Sequence, residues 1–272
     1  MKKILALLLC AGMTMGLLAA CGSNEAATDA SADASAEAVA SGDSADEKVW
    51  VIASDTSFKP FEYTDENGDF VGIDVDIMNA IAEDQGFKVE IQSLGWDAAI
   101  AACQAGQADG MIAGASITEE RISNGWIFSD GYYDACQCMA VKDDSDITGF
   151  DGLNGKTVGV KTATESAKYA ESLMDEYGFT ITYYEDSATM YQAVIGGQDV
   201  ACFDDEPVMV AYIKENNIAM KLIDGTQNDP AQYGMAIFNS DNQELIDMFN
   251  AGLANIKANG TYDEIIAKYL GE

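Results

Sequence analysis

The chain predicts an α/β fold built as two parallel-sheet units, and three observations predict it. From residue 48 onward, strand-like runs rich in Val, Ile and aromatics alternate with longer runs at helical spacing. The alternation begins a second series after residue 150. Charged and aromatic residues stand directly after the strand-like runs, at the sheet edge where open α/β folds bind ligands. At 272 residues the chain suffices for one large domain or two ordinary ones.

The first segments do not belong to that fold. Lys2 and Lys3 precede the apolar run "ILALLLCAGMTMGLLAA", which ends at Leu18-Ala19-Ala20-Cys21. That ending resembles the cleavage box of bacterial lipoproteins. The resemblance implies a signal peptide over residues 1–20 and a lipidated Cys21, palmitate included. Residues 21–47 continue as Ala/Ser/Asp/Glu low complexity without an aromatic. Such a stretch buries no core and reads as a self-repelling tether.

In the first series "KVWVIAS" is a strand, and "PFEYTDENGDFVGI" is a hairpin turning at Asn67-Gly68. "DVDIMNAIAEDQG" has helical spacing and a terminal Gly86. "KVEIQSL" (strand), "WDAAIAACQAG" (helix), "ADGMIAGAS" (strand) and "TEERISNG" (helix) follow. Asp65, Asn67 and Asp69 imitate the start of a calcium loop. Phe70 stands where that loop needs Gly, so a hairpin is expected and a metal site is not.

The second series reads "KTVGVK" (strand), "ATESAKYAESLMDEYG" (helix), "TITYYE" (strand) and "SATMYQAVIGG" (helix). "DVACF" (strand) and "EPVMVAYIKENN" (helix) close it, with Pro207 in the helix's first turn. Cys136 and Cys138, two apart, are expected on one strand face, with a disulfide left open. Cys103 and Cys202 fall in core-like positions.

Composition excludes several function classes. Asp and Glu number 46 against 14 Lys and Arg, there is no histidine, and the net charge is −32. Loss of residues 1–20 would make it two units more negative. So acidic a chain repels nucleic acid and anionic lipid, leaving a lipid to hold it at a membrane. Without histidine no metal spacing appears, no cofactor is implied, and no nucleophile–base pair is identifiable. Asp204–Asp205 offers paired acids, but neighbours along a strand point to opposite faces.

Asp55 follows the first strand, Trp96 the second, and Ser116 with Arg121 the third. Lys161 follows "TVGV", and Asp204 with Asp205 follows "VACF". Arg121, the single arginine, sits against the dipole of a helix that Thr118 would cap, beside two glutamates that cannot face it. A guanidinium there suits a ligand carboxylate and Asp205 an ammonium. Phe58 and Trp96 can cover a carbon stem, and backbone N–H groups near Thr164 can join the carboxylate. That set fits an amino-acid zwitterion; a salt bridge from Arg121 to another acid of the chain stays open.

The ordered stretches "SDTSFKPFEY", "GDFVGIDVDIMNAIA", "IAGASITEERI", "FSDGYY", "GKTVGVK", "DDEP", "QYGMAI" and "NGTYDEI" resemble the amino-acid-binding subunits of ABC importers, the periplasmic solute-binding family 3. The likeness is strongest to the glutamine-, histidine- and lysine/arginine-binding branch. It implies the two-lobed type II periplasmic-binding-protein fold, mostly parallel sheets flanked by helices, with hinge crossings near 133–136 and 229–232. Lobe 1 would comprise 48–133 plus 231–272, and lobe 2 134–230. By position Arg121, Ser116 and the N–H groups around Thr164 would hold the α-carboxylate. Asp205 and the Gly114 carbonyl would take the ammonium. Phe58 and Trp96 would flank the stem, and Asp55, Lys161 and Asp204 would face the side chain. Partners would be a small amino acid and the permease and ATPase subunits, at the outer face of the cytoplasmic membrane, with the receptor a monomer and not an enzyme.

Two residues depart from the family's pattern. Ala163 stands where relatives carry glycine. Glu165 replaces a small or hydroxyl residue and is expected to turn outward. Lys161 favours a glutamine-like ligand, whereas Asp204 in place of the histidine of glutamine binders weakens that choice. Cystine or a basic amino acid is the alternative, and a small-acid dehydratase the enzymatic one.

Overall fold

The computed structural model describes residues 48–271. The expected signal segment, Cys21 and the tether lie outside the described residues.

The chain opens with β1 (Val49–Ser54) and a small antiparallel sheet of β2 (Ser57–Phe58), β3 (Glu62–Thr64) and β4 (Phe70–Val71). Its hairpin turns through residues 66–68, Asn67-Gly68 included as expected, and the Asp65 carboxylate before the turn accepts the N–H groups of Asn67 and Asp69 at 2.8 and 2.9 Å. Then come α1 (Ile73–Gln85), β5 (Lys88–Ser93), α2 (Trp96–Gln104), β6 (Gly110–Met111), α3 (Glu119–Ser123) and β7 (Ile127–Phe128). After β8 (Tyr133–Ala135) follow β9 (Gln137–Lys142), β10 (Thr157–Lys161), α4 (Glu165–Tyr177), β11 (Thr180–Tyr184) and α5 (Ser187–Ile195). β12 (Ala201–Asp205), α6 (Glu206–Asn216) and β13 (Met220–Leu222) precede β14 (Ala231–Tyr233), β15 (Ala236–Ile237), α7 (Gln243–Asn259) and α8 (Thr261–Leu270).

These strands make two five-stranded sheets of matching order, β5-β1-β6-β15-β7 and β11-β10-β12-β9-β13. In each, the first three strands are parallel and the next is antiparallel. Two lobes therefore share one topology although no repeat is visible in the sequence. β8 and β14 pair antiparallel between them, Ala231 opposite Ala135 and Tyr233 opposite Tyr133.

Strand alternation sets which helices each strand meets. On β1, Trp50 and Ile52 join the core beneath α1 and α7, while Ala53 faces α2. On β12, Ala201 and Phe203 pack with the α4 side, and Cys202 with α5 and α6. The same parity sends the two acids that end β12 to opposite faces.

Two local expectations change. Only Gly110–Met111 of "ADGMIAGAS" is strand, because Gly114 takes φ 55°, a left-handed conformation that ends extended pairing. Cys136 lies in the break between β8 and β9, so it and Cys138 do not share a strand, and all four described cysteines are free.

Candidate functional site

The carboxyl ends of β1, β6, β10 and β12 converge between the lobes. Asp55 follows β1, and its Oδ2 forms a buried ion pair with Lys161 Nζ, the last residue of β10. Both side chains are almost wholly shielded from water, at 5 % and 2 % exposure. The ammonium lies 5.1 Å from the Phe58 ring centre and 5.9 Å from that of Trp96.

Trp96 begins α2 and bridges the lobes, its indole N–H donating to the Ala163 carbonyl at 3.0 Å. Ala163 has φ 57°, a conformation that glycine adopts without strain. The residue that departs from the family's glycine thus keeps a glycine's backbone. Gly114 leaves no such freedom, since a Cβ there would fall 2.4 Å from Phe58 Cε1. Its N–H donates to Asp74 Oδ2 at 2.8 Å, as does the Tyr132 hydroxyl at 2.7 Å. Burial pushes the Asp74 carboxyl up to about 6 despite those two donors.

Arg121 lies on α3, whose N-cap Thr118 accepts the Arg121 backbone N–H. Its guanidinium lies beside the indoles of Trp126 and Trp96, 5.0 and 5.2 Å from the ring centres, and those two rings are themselves in contact at 6.4 Å. Nη1 donates to the Ser116 carbonyl at 2.9 Å. Nε meets Glu165 Oε1 at 3.2 Å, across the cleft at the start of α4. This corrects the expectation that Glu165 turns outward. Its side chain is only 17 % exposed, and the penalty of a buried acid is offset by Arg121 on one side and Lys168 on the other. Burial lowers the Arg121 pKa from its usual height, and Glu165 is the foremost group opposing that shift.

Asp204 and Asp205 are the last two residues of β12 itself. Asp204 accepts the Tyr191 hydroxyl at 2.7 Å and the Asp205 backbone N–H at 2.9 Å. Asp205 accepts from Gln137 Nε2 at 2.7 Å, Ser166 Oγ at 3.1 Å and the Tyr233 hydroxyl. Three donors on two oxygens leave room for one more, since a carboxylate offers about four acceptor positions. Burial raises both acids, and for Asp205 the neighbouring Asp204 adds to the rise. Thr164 caps α4 by accepting the Ala167 N–H at 3.1 Å, and its own hydroxyl donates to the Lys161 carbonyl at 2.7 Å.

Contacts thus link the ten expected residues where the strand ends of the two sheets meet. Sequence reasoning left out Tyr233, Gln137, Ser166 and Trp126, which hold Asp205 and Arg121. Tyr233 stands inside the family-like "QYGMAI", which could have flagged it. Gln137 follows the break at Cys136, which no local pattern announces.

The chain is similar to known amino-acid-binding proteins. The arginine-binding extracellular protein ArtP of Bacillus subtilis is 30 % identical over 270 residues, covering 99 % of this chain and 98 % of its own. An ancestral arginine-binding protein bound to glutamine is 35 % identical at TM-score 0.76, over 82 % of this chain and 98 % of its own. Substrate binding domain 2 of Lactococcus lactis GlnP, in an open conformation, is more alike in sequence at 40 %. It superposes less well, at TM-score 0.58 over 84 % of this chain and 97 % of its own. The profile of the bacterial extracellular solute-binding proteins, family 3, matches residues 50–272, and the chain belongs to that family.

Proposed function

We propose that this chain is an extracytoplasmic receptor that closes its lobes on a polar, glutamine-like L-amino acid and delivers it to the permease and ATPase of an ABC importer. The buried Asp55–Lys161 pair carries the reading. A neutral amide can accept from the ammonium and donate to the carboxylate without adding charge to a buried pair. Arg121 takes the α-carboxylate with N–H groups not used by Ser116 and Glu165, and the vacant acceptor position of Asp205 takes the ammonium. Phe58 and Trp96 exclude water from the stem. The receptor acts as a monomer held by lipid on Cys21, and it returns its ligand chemically unchanged.

A basic amino acid is the second reading. Asp55, Glu165, Asp204 and Asp205 outnumber Lys161 and Arg121 in the cleft, which favours a cation. Titration calorimetry with twenty amino acids plus cystine separates the two. Glutamine as the tightest ligand is the expected result, and arginine or lysine as the tightest would establish the second. Binding of nothing in the panel would overturn the receptor reading, and a new product by mass spectrometry would restore an enzymatic one.

A further inference from the structure

We propose that Glu165 is a positioning residue for ligand binding, a carboxylate of one lobe that locks the Arg121 guanidinium of the other when the lobes close. The inference rests on Arg121 as the anchor of the ligand carboxylate. Arg121 and Glu165 belong to opposite lobes, so their contact at 3.2 Å exists only in the closed arrangement. It continues outward as a chain of alternating sign. Glu165 Oε1 also receives Lys168 Nζ at 3.2 Å, and that ammonium reaches back across the cleft to Glu120 Oε2 at 2.9 Å.

Donor accounting lets this lock coexist with a ligand. A guanidinium has five N–H donors in a fixed plane. Glu165 lies against Nε as an ion pair and the Ser116 carbonyl takes one N–H of Nη1. One N–H on Nη1 and both on Nη2 are left for a carboxylate. A ligand carboxylate then extends the alternation by one more sign change, and the indoles of Trp96 and Trp126 pack beside the guanidinium. Thr164 fixes the start of α4, so Glu165 arrives at the same place on each closure.

The test compares wild type with Glu165→Ala and Glu165→Gln by calorimetry, stopped-flow binding and single-molecule energy transfer between dyes on the two lobes. Removing one half-buried, charge-assisted contact should weaken ligand binding about tenfold, almost all of it in faster dissociation, because lobe 1 captures ligand before closure. The closed fraction without ligand should fall in both variants, and Glu165→Gln should recover part of the affinity because it can still accept from Nε–H. Lys168→Met should weaken binding in wild type but have little effect in Glu165→Ala. Unchanged affinity in Glu165→Ala would overturn the proposal, and tighter binding would reveal a competitor of the ligand carboxylate instead. If wild type binds no amino acid, the receptor reading fails while the lobe-distance measurement still decides whether Glu165 locks Arg121.

Discussion

At the carboxyl end of its first strand, β1, one lobe carries Asp55, and at the same point of its own sheet, β10, the other carries Lys161. The third strands repeat the contrast. β6 leads to Arg121, and β12 ends in Asp204 and Asp205. One topology has been furnished twice with opposite charge, so the same closure that brings equivalent strand ends together also neutralises them. The helices after those first strands differ as well. In the second lobe only residues 162–164 separate β10 from α4, whose N-terminus therefore opens on the cleft. In the first lobe the β2-β3-β4 sheet intervenes and supplies the Phe58 ring in its place. One lobe contributes an aromatic wall and the other a helix end.

The largest expected effect comes from breaking the first of these contrasts. Lys161→Met leaves the Asp55 carboxylate buried without its cation, which should cost about 3–5 kcal/mol of the closed, folded state. Urea denaturation of the single variant and of Asp55→Asn/Lys161→Met should show the double variant to be the more stable. Equal losses would mean that the pair holds no buried charge worth compensating.

Next in size is a pH effect confined to the first lobe. Asp74, raised from 3.8 to about 6 by burial, holds its proton more firmly folded than unfolded. Its contribution is complete below the unfolded value and is lost as pH rises through about 6, roughly 3 kcal/mol for such a shift. Asp74→Asn keeps an acceptor for the Gly114 N–H and the Tyr132 hydroxyl but carries no proton to lose. Wild-type stability relative to this variant should therefore fall between about pH 4 and pH 6, measured by denaturation across buffers. A flat difference would show that the carboxyl titrates at its ordinary value.

Arg121→Lys probes the third-strand contrast. An ammonium cannot present a planar fork to a carboxylate, nor pack flat beside an indole, and binding should weaken about a hundredfold. Calorimetry with the tightest ligand measures this. Undiminished affinity would make Arg121 a structural cation, its role confined to Glu165.

Much of this comparison is legible in the sequence because it depends on local rules. Strand ends are marked by pattern, and Arg121 stands out because it opposes its own helix dipole. The Glu165 contact was not legible. At the first turn of α4 a side chain is free to face solvent or cleft, and what fixes it is the position of α3 on the other lobe. The donors to Asp205 were hidden for a related reason. Tyr233 reaches it through the pairing of β14 with β8, and such long-range register leaves no local trace. The sequence predicts a longer β6 than forms, because "MIAGAS" has strand-like composition while Gly114 has a turn's backbone.

The smallest effect sharpens the contrast between the two connections into helices. Ala163 holds φ 57° in the short connection before α4, where its carbonyl receives the Trp96 indole. A left-handed alanine costs roughly 1–2 kcal/mol, whereas glycine there gives up about 0.5–1 kcal/mol of extra chain entropy on folding. Ala163→Gly should therefore stabilise the protein by at most about 1.5 kcal/mol, seen as a higher urea midpoint at unchanged slope. Its effect on binding has the opposite sign. A looser 162–164 connection presents the Trp96 acceptor and the α4 N-terminus less rigidly, so affinity should drop slightly while stability rises. A variant gaining in both would mean that the strained alanine contributes nothing to how the second lobe meets its partner.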